Sequence, residues 1–137
     1  MNYLLDTGFI SELVAPQPNS RVLAWMQSTP EERHSLSVLA IGELQNGIAK
    51  LAVSRRRQAL SAWLAENLLV RFKGRLMALD VPVLLEWGDL SAALTRAGKT
   101  MPAMDTLIAA STKQGGFKLV TRNVTGFAAT GVPILTP

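Results

Sequence analysis

The sequence predicts an α/β fold in which a mostly parallel central sheet of four to five strands is flanked by helices. Short apolar runs alternate along the chain with segments of helical spacing. Strands that are separated by helices pair in parallel through right-handed crossovers. A carboxylate, Asp6, comes directly after the first apolar run. In an open sheet of this kind, ligand-binding groups lie at the carboxyl ends of the strands.

Five segments carry strand signals. The first is a short apolar run typical of a buried strand, and the second alternates polar and apolar residues from His34 to Val38. The last contains Pro133, which favours a position at the edge of the sheet. The predicted strands span residues 2–5, 34–38, 76–79, 117–120 and 132–135.

The helices are predicted from N-caps, breakers and apolar spacing. Asn19 or Ser20, Ser54 and Asp80 can cap the helices that follow them. The clearest apolar stripe lies between the second and third strands and consists of Ile41, Leu44, Ile48 and Leu51. The predicted helices span residues 7–14, 20–26, 39–51, 55–68, 81–94 and 103–112. No repeat or linker interrupts them, so residues 1–137 are predicted to form one domain.

Composition narrows the possible functions. The chain has 48% hydrophobic residues and no cysteine, which excludes disulfides, zinc–thiolate sites and thiol catalysis. Its net charge of +4 favours an anionic partner such as nucleic acid, although solubility alone is an equally good explanation. No apolar run is long enough to span a bilayer and no signal peptide is evident, so a soluble cytoplasmic protein is expected.

Three carboxylates are the strongest candidates for chemistry. Asp6 follows the first strand, Glu43 lies on a helix face with small neighbours, and Asp105 lies in the first turn after Pro102. Each has an ordinary alternative: Asp6 as a helix cap, Glu43 as a solvated helix residue, and Asp105 as a charge favoured by the helix dipole. Together, in a chain with one histidine, they suggest a site for Mg²⁺ or Mn²⁺.

Other polar residues are less specific. Asn123 also follows a predicted strand, but it is equally typical of a turn. The scattered basic residues Lys50, Lys99 and Arg122 could bind phosphates, although the sequence does not place them on one surface. His34 is expected to be a strand residue rather than a ligand or base. No dinucleotide-binding, Walker or G-x-S-x-G motif is present.

The ordered set of motifs resembles the PIN-domain ribonucleases, specifically the VapC toxins of toxin–antitoxin pairs and their FitB-like branch. The resemblance extends over essentially the whole chain and is strongest from Met101 to Ala110. The matching segments are Leu4-Leu5-Asp6-Thr7, Leu36-Ser37-Val38-Leu39 leading to Gly42-Glu43-Leu44, Arg75-Leu76-Met77-Ala78-Leu79-Asp80, Met101-Pro102-Ala103-Met104-Asp105-Thr106-Leu107-Ile108-Ala109-Ala110, and Leu119-Val120-Thr121-Arg122-Asn123 with Phe127 and Gly131-Val132-Pro133.

The resemblance implies a single PIN domain that cleaves RNA by metal-assisted hydrolysis. Its metal-binding carboxylates would be Asp6, Glu43 and Asp105, with Asn123 at the fourth position and Thr7 as the hydroxyl beside the first carboxylate. The resemblance also implies a homodimer, a VapB-type antitoxin and a larger hetero-oligomer with that antitoxin. No membrane partner is expected.

This chain departs from the family pattern at two positions, and one of them, Gly8, keeps a second function open. The family usually has asparagine where this chain has Gly8, and many relatives have an acidic residue where it has Gly126. A degenerate PIN domain would bind an antitoxin and regulate without cleaving RNA. A phosphoacceptor domain of the response-regulator kind is disfavoured, because Asp6 has no acidic neighbour before Glu12.

Overall fold

The computed structural model describes all residues from Met1 to Pro137 and contains one five-stranded sheet. All neighbouring strands are parallel, and their order is β3-β2-β1-β4-β5. The strands are β1 (Tyr3–Leu5), β2 (His34–Ser37), β3 (Leu76–Met77), β4 (Lys118–Val120) and β5 (Ile134–Leu135). The predicted α/β class is therefore confirmed, with the first strand at the centre of the sheet.

Helices connect the strands and cover both faces of the sheet. They are α1 (Thr7–Ser11), α2 (Ser20–Ser28), α3 (Val38–Ala49), α4 (Arg55–Ala62), α5 (Leu69–Arg71), α6 (Val81–Arg96), α7 (Ala103–Gln114) and α8 (Val124–Phe127). A π-helical segment, Trp63–Leu68, joins α4 to α5, and short 3₁₀ turns follow α1, precede β2 and follow α8. None of these helices combines the length and apolar content needed to cross a bilayer.

The core lies in two clusters separated by the sheet. Successive strand residues point to opposite faces, so Leu4 and Leu5 belong to different clusters. Leu5 packs in the larger cluster with Phe9 and residues of α2, α3 and the α4–α5 segment. Leu4 packs with Ile108 of α7 and with residues of β4 and α8. This arrangement fixes the carboxyl end of β1 between α3 on one side and α7 on the other.

Most differences from the predicted elements are at their ends. Val38 was predicted to end the second strand, but it begins α3 because the Ser37 Oγ accepts a hydrogen bond from Leu39 N at 3.1 Å. β3 and β5 are only two residues long, shorter than predicted. The helix predicted to end at residue 68 continues through the π-helical segment to Arg71. The short helix α8 was not predicted.

His34 is a strand residue, as expected, and is fully buried. Its Nε2 lies 2.6 Å from the Thr29 Oγ1, and its ring stacks on Trp25 with 5.0 Å between centroids. Burial is the main reason that the pKa of His34 is lowered. Because His34 begins β2, it lies at the amino end of the sheet, away from the strand ends that carry the carboxylates.

Candidate active site

Asp6 and Thr121 meet at the carboxyl edge of the sheet. Leu5 of β1 is in register with Val120 of β4, and the next residue along each strand is Asp6 or Thr121. The Asp6 backbone N donates to the Val120 carbonyl at 2.9 Å, and the Thr121 hydroxyl donates to the Asp6 Oδ2 at 2.8 Å. From β1 the chain crosses to β2 on one side, whereas β4 lies on the other, so this edge is the switch point of the sheet.

Both oxygens of the Asp6 carboxylate are held by hydrogen bonds. Oδ2 accepts from Thr121, and Oδ1 accepts from the backbone N of Thr7 at 2.9 Å, which makes Asp6 the N-cap of α1. These hydrogen bonds lower the pKa of Asp6, but burial has the larger effect and raises it. The expected cap and the expected site residue are therefore the same residue. Its ionised form is costly here unless a positive charge is close.

Thr7, the first residue of α1, links Glu43 to Asp6. Glu43 lies on α3, and its Oε1 accepts a hydrogen bond from the Thr7 hydroxyl at 2.7 Å. Thr7 therefore uses its backbone N for Asp6 and its hydroxyl for Glu43, which orients two carboxylates with one residue. The negative charge of Glu43 contributes to the raised pKa of both Asp6 and Asp105.

Asp105 approaches from the other side of the sheet. It is the third residue of α7 and is partly buried, and burial followed by the charge of Glu43 raises its pKa. The first turn of α7 has no side-chain cap. Instead, Trp87 Nε1 of α6 donates to the Thr106 hydroxyl at 3.0 Å, and that hydroxyl donates to the Ala103 carbonyl at 2.9 Å. Trp87 thus fixes the turn that carries Asp105.

The chemistry of the three carboxylates suits a hard divalent cation. The charge of Glu43 contributes to the raised pKa of Asp6 and of Asp105, and none of the three carboxylates forms an ion pair with a basic side chain. Oxygen ligands of this kind are preferred by Mg²⁺ and Mn²⁺. No group of three acidic or histidine side chains is close enough to ligate one ion directly. The structure thus orients Asp6 and Glu43 but does not assemble a complete set of protein ligands for one ion.

Of the three basic candidates, the structure brings only Arg122 to the carboxylates. Arg122 is exposed and lines a polar depression of about 410 Å³ together with Asp6, Gly8 and Thr121. Lys99 lines a different depression, beside α6 and α7. Lys50 is exposed at the C-terminal end of α3, about 10 Å along the helix from Glu43.

Similarity to known proteins agrees with this arrangement. The PIN-domain family profile matches residues 3–132. The chain belongs to the PIN-domain family. It is 36% identical over 134 residues to Toxin FitB of Neisseria gonorrhoeae, covering 98% of this chain and 96% of FitB. It is 33% identical over 134 residues to the VapC ribonuclease Y4jK of Sinorhizobium fredii, with the same coverage of both chains.

A solved structure extends the comparison to three dimensions. The structure of FitAB bound to an IR36 DNA fragment contains a chain that matches this PIN domain with a TM-score of 0.92 and 34% identity. The match covers 98% of this chain and 94% of that one. The predicted family and fold are confirmed, and the named relatives support a nuclease role of the toxin type.

Asn123 lies beside the site, but its side chain caps the helix α8. Its Oδ1 accepts a hydrogen bond from Gly126 N at 3.2 Å and so caps α8. Its own backbone N donates to the Thr121 hydroxyl at 3.0 Å. Sequence reasoning singled out Asn123 and passed over Thr121, which is fully buried. The available signal was the parallel between Leu119-Val120-Thr121 and Leu4-Leu5-Asp6, each an apolar pair followed by a polar residue.

A groove leads away from Glu43 along α3, and we call it the α3–α4 groove. It has a volume of about 350 Å³, begins at Thr7 and Glu43, and ends at Arg56 and Trp63. Its lining between these ends is mainly aliphatic and consists of Val14, Leu44, Gly47, Ile48, Leu51 and Leu60, with Ser11 at one side. The groove therefore has a charged end at Glu43 and a mainly apolar lining along its length.

Proposed function

We propose that this PIN domain is the toxin of a VapBC-type toxin–antitoxin pair and acts as a metal-dependent endoribonuclease. The observation that carries the proposal is the set of three carboxylates, Asp6, Glu43 and Asp105, which lie close enough for the charge of Glu43 to contribute to the raised pKa of both aspartates. The relatives named as a toxin and as a VapC ribonuclease support this function.

In the proposed mechanism, Asp6, Glu43 and Asp105 would hold one or two Mg²⁺ or Mn²⁺ ions, with bound waters completing the coordination. When bound, such an ion would supply a water of lowered pKa and stabilisation of negative charge on the phosphodiester. The chain itself provides orientation: Thr7 and Thr121 fix the carboxylates of Asp6 and Glu43 through hydrogen bonds of 2.7–2.9 Å. Exposed Arg122 beside Asp6 is suited to an RNA phosphate.

No side chain near the carboxylates is suited to act as the nucleophile. The chain has no cysteine, and its single histidine, His34, is buried at the amino end of β2. Thr7 and Thr121 both donate their hydroxyl protons to carboxylates, and these hydrogen bonds fix the orientation of the carboxylates. These features favour attack by water, which a cation held by the carboxylates would activate.

The antitoxin is proposed to occupy the α3–α4 groove. An amphipathic segment could place apolar side chains against Leu44 and Ile48 and a basic side chain near Glu43. A partner bound in this way would block the carboxylates and neutralise their charge. Co-purification with the product of the adjacent gene tests this pairing. Failure of the two proteins to associate would contradict it.

A second copy of the chain is proposed to cover the outer face of α6. Leu84 and Leu85 come three and four residues after Val81 on that helix, and Val81 and Leu85 are 69% and 67% exposed. Contiguous exposed aliphatic side chains favour a protein interface. Light scattering should therefore show a dimer, and the substitution Leu85→Glu should shift it to a monomer. A wild-type monomer at high concentration would contradict the homodimer.

The metal dependence of RNA cleavage distinguishes the nuclease from a degenerate, non-catalytic binding module. The purified protein, freed of antitoxin, should cleave a structured RNA with Mg²⁺ or Mn²⁺ and stop when EDTA is added. A binding module would leave the RNA intact under every metal condition, although it would still bind its antitoxin.

A further inference from the structure

The loop after β4 contains two residues whose conformations depend on each other. The Asn123 side chain turns back onto α8, where its Oδ1 accepts from Gly126 N at 3.2 Å. A Cβ atom at Gly126 would lie 2.2 Å from the Asn123 Nδ2 and 2.6 Å from both its Cγ and its Oδ1. No residue other than glycine can therefore occupy position 126 while Asn123 keeps this conformation.

Backbone conformation does not explain the glycine. The φ angle of Gly126 is not positive, whereas nearby Gly131 has a φ of 73°. Gly126 lies within α8 and outside the left-handed region, so its backbone does not require glycine, and the three atoms nearest to a Cβ there all belong to Asn123. The Asn123 side chain is thus the specific obstacle to a larger residue.

The orientation of Asn123 matters because of what surrounds it. Asn123 lines the same polar depression as Asp6, and the Thr121 hydroxyl accepts from Asn123 N while it donates to the Asp6 carboxylate. These contacts hold the Asn123 backbone beside Asp6. With the backbone held in this way, the side-chain torsion angles of Asn123 set the direction of its amide oxygen, which here points to Gly126 N.

We infer that Gly126 is a positioning residue that lets the Asn123 carboxamide cap α8 and so withdraws it from the proposed cation site. The effect on the cation rests on the proposed function, whereas the hydrogen bond and the steric conflict between Asn123 and Gly126 do not depend on it. In this chain the cation would be held by Asp6, Glu43 and Asp105 without the Asn123 oxygen. A side chain at position 126 would displace the carboxamide from α8 towards the depression.

The orientation is tested first on the metal-free full-length protein by NMR. The cap predicts a nuclear Overhauser contact between the Gly126 amide proton and the Asn123 β-protons, and Gly126→Ala should abolish it. Asn123→Ala removes the cap and should lower the melting temperature by about 3–5 °C. The absence of the contact in the wild-type protein would overturn the inference whatever the metal does.

The consequence for the site is tested by Mn²⁺ titration calorimetry. Gly126→Ala should bind Mn²⁺ up to about tenfold more tightly, since it frees an additional oxygen for the ion or its waters. The double variant Gly126→Ala/Asn123→Ala, which relieves the steric conflict, should lose that gain. Asn123→Ala alone should stay within about twofold of the wild-type affinity.

Two results would contradict the withdrawal of Asn123. One is a tenfold or greater weakening of Mn²⁺ binding by Asn123→Ala, and the other is a gain from Gly126→Ala that persists in the double variant. Failure of every variant to bind Mn²⁺ would refute the proposed cation site, while the NMR contact would still decide how Asn123 is oriented.

Discussion

Thr121 is the most informative position for a conservative substitution. Its buried hydroxyl donates to the Asp6 Oδ2 at 2.8 Å and accepts from Asn123 N at 3.0 Å. Thr121→Val keeps the shape of the side chain but removes both hydrogen bonds. A hydrogen bond to a charged group contributes about 1.5–3 kcal/mol. We therefore expect the free energy of unfolding to fall by about 2–3 kcal/mol at pH 7.

Thr112→Val is a matched control. Thr112 is equally buried, but its hydroxyl donates at 2.8 Å to a backbone carbonyl, that of Ile108, within α7. No charged group loses a partner, and valine and threonine have similar helix propensities, so the loss should stay below about 1 kcal/mol. Urea unfolding in EDTA measures both variants without any contribution from a bound cation.

The pH dependence separates loss of a charge-assisted bond from loss of packing. The pKa of Asp6 in the folded protein is raised above its ordinary value of 3.8. Protonated Asp6 therefore contributes stability to the folded protein. This contribution is fully present below pH 3.8 and is lost as the pH rises through the pKa of Asp6 in the folded state. Thr121→Val removes a contact that lowers this pKa, so its penalty should grow from pH 4 to pH 7. A penalty equal to that of Thr112→Val, or one independent of pH, would refute the reasoning.

Three further substitutions test other parts of the site. Asp105→Asn should raise the melting temperature in EDTA at neutral pH, because burial and Glu43 raise the folded pKa of Asp105 and its ionised form destabilises the fold; an unchanged or lower value would contradict this. Gly8→Asn should lower the Mg²⁺ concentration for half-maximal cleavage, since open space surrounds Gly8 in the polar depression and its φ is not positive. If that concentration stays the same or rises, Gly8 is not the site of a missing polar partner. Trp87→Phe should reduce the free energy of unfolding by about 1 kcal/mol in urea titrations through loss of the hydrogen bond to Thr106, and no change would argue against that bond.

The placement of Asp6 and Glu43 near one edge of the sheet could be predicted from the sequence, because it depends on topology. An apolar run followed by Asp6 places that carboxylate at a strand end, and parallel strands have their carboxyl ends at one edge. The helix that follows the next strand begins at the same edge, which places Glu43 near it. None of this requires knowledge of a side-chain rotamer, so pattern and connectivity were sufficient.

Contacts that depend on register and rotamers could not be predicted. Thr121 and Asp6 are 115 positions apart, and they meet only because β4 pairs with β1 in one particular register. The orientation of Asn123 depends on α8, whose four residues are too few to show a helical period. Lys99 and Arg122 are equally basic in sequence, and only the packing of α6 and α7 separates them.

The substitution Asp105→Asn tests the proposed nuclease function most directly, with Asp89→Asn as its control. Asp89 is an exposed residue of α6, outside the carboxylate site, and its loss should leave RNA cleavage unchanged. Asp105→Asn should reduce Mg²⁺-dependent cleavage by more than about 100-fold, beyond the effect typical of residues that only support a ligand. The folded state should persist, as judged by circular dichroism. Undiminished cleavage by folded Asp105→Asn would contradict catalysis by a carboxylate-bound metal at this site.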